Sequence, residues 1–524
     1  MKFLIIFFIL FLTVPVSNAV ALENCLWNNS KGVPCTTVIK TPNTSFYNSE
    51  VVNKKVFTRK QIDESGATTA LELIQKVSGL DFYQTGQKGQ QAAIFMRGSE
   101  SNHTLVMLNG VAINDQSTTN GLHDFGQDFV QTIQQIEVYK GSNGAHFGPD
   151  AIGGAINFVT DVDYSNSFSV SGFSYNNNST NYNTTKITEN GWHLNFKGAI
   201  NQSKTDSAIA KGNEDDGVRN YQVNFNTSKL INDNLKFKST LYSRKTKADY
   251  DSSATEEEDV TADNRMYALQ TALERVEENL EDSLIFHYHN YDRNYREAGD
   301  IDEYYSESLV AKAERKAKTN DKISYGYGSE YKYDWGNFEN RPSGGSSYSA
   351  ATNGHMKDLA IFANVGYKFN KNQTLSIYGR SDDHNTTGRN QTYKLNFMQN
   401  LGQFNFGASH STGLRNPSLY ELYGSNSSGF SGTTNLNPEK SKTNEIYGEY
   451  NLSENLKFSS TAYRATISDR LELDSSWTAI ENKQIDLNQE GLENEISYQG
   501  VGQSFSIFSN FSKSRKTTGG HQSR

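Results

Sequence analysis

Proline and cysteine are scarce in this chain, with 7 Pro and 2 Cys among 524 residues. Beyond the N-terminus no apolar run approaches the roughly 20 residues that a membrane-spanning helix needs. A bundle of transmembrane helices is thereby excluded, so entry into a membrane would have to be made by strands. There is also no excess of basic residues. Lys and Arg total 50 against 59 Asp and Glu, a net charge of -9, which excludes the positive face that a nucleic-acid partner demands. Catalytic constellations are missing too. The ten histidines are scattered, and the glycine-rich stretch from Gly141 to Gly154 lacks both the Lys-Ser/Thr of a phosphate loop and the dinucleotide spacing. No enzyme is expected.

What is present begins with a short export signal. Lys2 precedes an apolar run from Phe3 to Val14, and the small-residue sites Ser17-Asn-Ala19 and Ala19-Val-Ala21 follow. Residues 1–21 therefore read as a cleavable signal peptide. Cys25 and Cys35 lie just beyond it, in an oxidising compartment, where a small local disulfide is the default. With no histidine near them, a metal site there is the weaker reading. From about residue 165 to the end, segments such as Leu235-Lys-Phe-Lys-Ser-Thr-Leu-Tyr and Leu456-Lys-Phe-Ser-Ser alternate apolar and polar residues between Asn, Asp, Gly or Ser turns. That is the period of a strand with two unlike faces. A mean hydropathy of -0.68 suits such strands, because only one face must be apolar; 29 Tyr and 29 Phe suit aromatic girdles. Leu230-Ile-Asn-Asp-Asn-Leu-Lys-Phe and Leu452-Ser-Glu-Asn-Leu-Lys-Phe repeat one tight turn, with Phe369-Asn-Lys-Asn-Gln-Thr-Leu a looser copy.

Residues 97–157 carry a different pattern. Arg97-Gly98, the strand and Asn-Gly turn of Leu105-Val-Met-Leu-Asn-Gly-Val, the strand Ile136-Glu-Val-Tyr-Lys-Gly, and Phe147-Gly-Pro-Asp-Ala-Ile-Gly-Gly-Ala-Ile-Asn follow one another in an order that resembles the plug of TonB-dependent outer-membrane receptors. The resemblance implies an all-β, antiparallel transmembrane barrel with an N-terminal α+β plug, in the outer membrane of a Gram-negative bacterium. The expected organisation is a periplasmic segment over 22–56, the plug over 57–164 and the barrel over 165–524. In the family a box for the periplasmic partner TonB precedes the plug by about this spacing. Thr36, Thr37, Val38, Ile39, Lys40 and Thr41 resemble it, and pairing would be by strand addition through main-chain hydrogen bonds. Residues 68–76 read as a short amphipathic helix stopped at Ser78-Gly79.

A second stretch, Gly413-Leu-Arg-Asn-Pro-Ser-Leu-Tyr-Glu-Leu-Tyr-Gly, followed by Asn435-Leu-Asn-Pro-Glu-Lys-Ser-Lys-Thr-Asn-Glu and Gly491-Leu-Glu, resembles the family's barrel signature. The resemblance implies a buried cluster in which plug cations meet barrel glutamates, at Arg97, Lys140, Glu445 and Glu493. Lys140 stands where arginine is usual, keeping the charge but losing the planar fork. The wording is similar to the cobalamin-receptor branch, whose members carry calcium in loops. Asp215, Asp216, Asp249 and Asp251 are the expected Ca²⁺ ligands, since clustered carboxylates suit a hard cation. The implied function is TonB-dependent uptake of a bulky nutrient, with cobalamin first and a ferric siderophore as the alternative. A passive porin or adhesin is a poorer match, because neither would carry the plug. The family expects further strands after Glu493 and an aromatic C-terminal residue, so the sequence reads as C-terminally truncated, with some 16 to 18 strands expected.

Overall fold

The computed structural model describes residues 54–161, 165–173, 177–206, 215–250, 260–297, 300–341, 350–500 and 503–517. Residues 36–41, Cys25, Cys35 and Asp251 lie outside the described residues. Seven short strands form the first layer: β1 (Lys54–Thr58), β2 (Leu80–Gln84), β3 (Ala92–Met96), β4 (Thr104–Leu108), β5 (Val111–Ala112), β6 (Gln135–Lys140) and β7 (Gly154–Val159). Five of them make one sheet ordered β1-β6-β7-β4-β5, while β2 and β3 pair as a separate hairpin. β1 begins at Lys54, ahead of the expected plug boundary at residue 57. Within the sheet β4 and β7 run parallel. The β4–β5 connection is the Asn109-Gly110 turn, both residues at positive φ (50° and 80°), as the sequence pattern requires for a tight hairpin. The segment expected to be helical over 68–76 forms a shorter helix, Ala70–Ile74. Thr69 caps it, accepting from the Glu72 amide, and Gly79 follows at φ 81°.

Every residue of β4 is buried, which explains why it reads as a continuous apolar run instead of an alternation. Ile62, Leu73, Ile74, Ile94, Met96, Val106, Ile136 and Ile156 form the core of this layer. Tyr242, Met266, Ala268 and Tyr291, from surrounding strands, join the same cluster. The globular layer and its enclosure thus share one apolar core.

That enclosure is a barrel sheet of 18 strands, running from Ser167–Phe173 to Gln503–Lys516, with antiparallel pairing between neighbouring strands. Alternation decides which side chains face inward. In Asp215–Leu230, every second residue from Asp216 to Ser228 is buried. The inward residues are largely polar, among them Asn195, Asn220, Asn224 and Asn226. Leu359, Ile361 and Val365 face outward on Ala350–Asn370. One rim has only tight turns. There Asn232 accepts from the Leu235 amide at 2.9 Å and Ser453 from the Leu456 amide at 3.1 Å. Asn320 repeats the arrangement with the Ile323 amide at 2.9 Å. The opposite rim carries longer described connections, 416–438 and 469–486. No described helix is long and apolar enough to cross a membrane.

Candidate functional site

Arg97 follows β3 in a left-handed conformation (φ 54°), with its amide bonded to the Gly79 carbonyl at 2.7 Å. From there its guanidinium reaches the barrel wall. Nε and Nη2 meet the two carboxylate oxygens of Glu493 at 2.8 and 3.1 Å, and Nη1 meets Glu445. Glu445 lies on Glu439–Asn451 and Glu493 on Leu487–Gly500, flanking the strand Leu456–Ser468 between them. Tyr463 of that middle strand places its ring 4.3 Å from the guanidinium carbon. Cation–π contact therefore covers the face that the carboxylates leave open. Ser409 donates to the second oxygen of Glu445 at 3.0 Å.

Lys140, at the end of β6, donates to Glu493 at 2.6 Å and to the Ser78 carbonyl at 3.1 Å. The structure thus brings Arg97, Lys140, Glu445 and Glu493 together, with Arg97 supplying the bidentate contact and Lys140 a single bond. Burial lowers the Lys140 ammonium below its ordinary value, against the pull of Glu493. Burial acts the same way on Arg97, but Glu493 and Glu445 outweigh it and hold the guanidinium above its ordinary value. Arg97, Glu445 and Glu493 are 5%, 3% and 3% exposed, so these charges must satisfy one another. The two glutamates near Glu493 have other partners: Glu495 pairs with Lys55 at 2.6 Å and Glu490 with Lys513 at 3.3 Å.

Gly79 is more than a helix stop. A Cβ at this position would lie 2.0 Å from Oε1 of Glu493, and φ is 81°. Gly79→Ala is expected to push Glu493 off Arg97 and to destabilise the plug by about 2–3 kcal/mol, combining overpacking with left-handed strain. Hydrogen exchange of the plug amides would measure it.

Further plug-to-barrel ion pairs had no signal in the sequence. Asp115 meets Arg293 at 2.8 Å, Asp128 meets Arg244, and His103 meets Glu439 at 2.8 Å. Arg415 bridges Glu439 at 3.0 Å and Glu421 at 2.8 Å. Arg415, Glu421 and Glu439 sit inside the recognisable barrel segments. Asp115, Asp128 and His103 are single residues outside the plug strands, whose barrel partners are more than a hundred positions away. His123 contacts Asp128 at 2.7 Å; burial first, and then Arg244, hold its imidazole down to about 3, so it is neutral near pH 7.

Three of the four expected calcium ligands, Asp215, Asp216 and Asp249, lie within the described residues. Asp215 and Asp216 are consecutive on Asp215–Leu230, a strand and not a loop at that point, so their side chains leave opposite faces. Asp215 is exposed and pairs with Lys204 at 3.0 Å, whereas Asp216 is buried on the inner face. Asp249 lies on the neighbouring strand, on the outer face, with Oδ2 over Gly217. Asp215, Asp216 and Asp249 therefore do not surround one point. Among the described residues no group of three or more His, Cys, Asp or Glu side chains could hold a metal.

A plug held inside a strand barrel by buried ion pairs defines a class of membrane protein, and the comparisons agree with it. Residues 48–155 match the TonB-dependent receptor plug domain and residues 157–522 the TonB-dependent receptor-like β-barrel. The chain belongs to the TonB-dependent receptor family, whose barrels lie in the outer membrane. It is 26% identical over 425 residues to the vitamin B12 transporter BtuB of Photobacterium profundum, covering 79% of this chain. It is 26% identical over 522 residues to BtuB of Vibrio vulnificus, covering 88% of this chain. It spans 66% and 76% of the lengths of these two relatives. Among solved structures, the ferric yersiniabactin uptake receptor FyuA of Yersinia pestis superposes with a TM-score of 0.72 at 14% identity, over 90% of this chain and 79% of that one.

Proposed function

We propose that the chain serves TonB-dependent, energy-coupled uptake of a scarce, bulky nutrient, with cobalamin as the ligand. The observation that carries the transport reading is the junction of Arg97 and Lys140 with Glu445 and Glu493. A buried cluster of this kind holds while complete and becomes costly when one partner is withdrawn, which makes it a suitable release point for a plug under force. Residues 36–41 are the proposed TonB box. Cobalamin is preferred because the curated relatives are named vitamin B12 transporters. Calcium does not enter this preference, given the divergence of Asp215 and Asp216.

Uptake of radiolabelled cyanocobalamin should appear when the chain is expressed in cells lacking their own receptor, and should vanish when TonB is also deleted. Accumulation that is equal with and without TonB would overturn energy coupling. TonB-dependent accumulation of a ferric siderophore, with none of cyanocobalamin, would move the ligand assignment.

A further inference from the structure

On the outward face of the barrel, away from the plug, positive charge collects in one sector. It lies on the strands Glu439–Asn451, Leu456–Ser468, Leu487–Gly500 and Gln503–Lys516, which are neighbours in that order. Ile446, Ala462, Leu492 and Phe511 pair across these strands and are all exposed, so together they form a stretch of the apolar outer belt. The next outward positions along the same strands, away from the tight-turn rim, change character at once. Asn444, Arg464, Glu490 and Lys513 make one cross-strand row, Lys442, Thr466, Asn488 and Arg515 make the row beyond it, and Lys440 follows.

Lys440, Lys442, Arg464, Lys513 and Arg515 are all exposed. Glu490 is the one carboxylate in these rows, and it pairs with Lys513 at 3.3 Å. Glu439 and Glu493 are turned inward to the plug, while Glu472 is held by Arg470 and Glu481 by Lys483. Counting Asp469 and Asp486, at the two ends of the connection 469–486, still leaves three carboxylates against five cations. Elsewhere on the outward wall the cations stand beside acids: Lys245 and Arg265 each lie 3.2 Å from Asp263, and Arg389 lies 3.5 Å from Asp383. Like charges gathered on neighbouring strands repel one another, so this sector calls for a counter-charge from outside the chain. In outer-membrane barrels the tight turns lie at the periplasmic rim. The sector is at the opposite end of its strands, below the connections 416–438 and 469–486, where the outer leaflet meets water. A soluble anion would touch the charges alone. A lipid touches both the cations and the belt beneath them, where Ile446, Leu492 and Phe511 are 67%, 40% and 68% exposed.

We propose that Lys440, Lys442, Arg464, Lys513 and Arg515 dock the phosphorylated headgroup of an outer-leaflet glycolipid, whose acyl chains lie along Ile446, Leu492 and Phe511. Adjacent strands are about 4.8 Å apart, so the four strands spread these cations over roughly 14 Å, and a headgroup with two phosphates meets different cations at once. Arginine offers a phosphate a two-pronged contact and lysine a point charge. The site is independent of what the receptor carries, because it faces the membrane and not the lumen.

Binding of bisphosphorylated lipid A to the full chain in neutral detergent micelles, read by native mass spectrometry, tests this. Lys442→Gln combined with Arg464→Gln should weaken binding by about 25-fold, roughly fivefold for each cation removed beside an anionic lipid. Glu490→Gln should act in the opposite direction and tighten binding by about fivefold, a gain that damage to the barrel cannot produce. Lipid A stripped of its phosphates should bind the wild-type chain as weakly as the intact lipid binds the double variant. Heat-modifiable migration of each variant controls for an intact barrel. Unchanged affinity in the double variant, or equal binding of the dephosphorylated lipid, would overturn the site. Displacement of lipid A by millimolar inorganic phosphate would show that the cations take free phosphate, and would overturn lipid docking.

Discussion

Replacing Arg97 with alanine is expected to loosen the plug more than any other single substitution at the plug–barrel junction. The change takes the guanidinium away from Glu445 and Glu493 in a site where each is 3% exposed, leaving Lys140 on Glu493 and Ser409 on Glu445. Removing one partner of a buried ion cluster costs about 3–5 kcal/mol, because the uncompensated charge keeps its desolvation penalty. Hydrogen exchange should show plug amides in β3 and β6 opening by that margin more readily, with barrel amides unchanged. Arg97→Lys should recover only part of the loss, since a single ammonium cannot reproduce the paired contacts to Glu493 at 2.8 and 3.1 Å. Wild-type protection of the plug in Arg97→Ala would show that the cluster does not hold it.

Val38→Pro should abolish uptake while leaving ligand binding at its wild-type level. Strand addition draws its affinity from main-chain hydrogen bonds, and proline both removes a donor and fixes φ near −65°. Val38 precedes the first described plug strand, at Lys54, by 16 positions in the sequence. Paired assays of cyanocobalamin binding and uptake in the same cells would separate the two steps. Uptake that survives the substitution would remove residues 36–41 as the energy-coupling segment.

The strands were legible because their signal is local. Alternation along Leu235–Tyr250 or Leu456–Ser468 needs only neighbouring residues to be read, and the Asn109-Gly110 turn declares its backbone geometry in two letters. Arg97, Lys140, Glu445 and Glu493 could be named in advance only through resemblance to a family. Their separation is 396 positions for Arg97 and Glu493, and no periodicity spans that distance. The calcium expectation rests on residues whose faces only the strand geometry assigns. It assigned Asp215 with Asp216 and Asp249 with Asp251 to two loops, but Asp215 and Asp216 fall within a strand, where consecutive residues point to opposite faces.

By itself, then, the sequence determined the two kinds of strand and the tight turns between them. Each of these follows from composition or short-range pattern. Only the tertiary structure decided which charges meet. It set Tyr463 against Arg97, Asp115 against Arg293 and Glu439 between His103 and Arg415. It also gathered Lys442, Arg464 and Arg515 above one stretch of the outer belt. Barrel register and the seating of the plug set these contacts, and both depend on burying apolar surface shared by strands far apart in the chain.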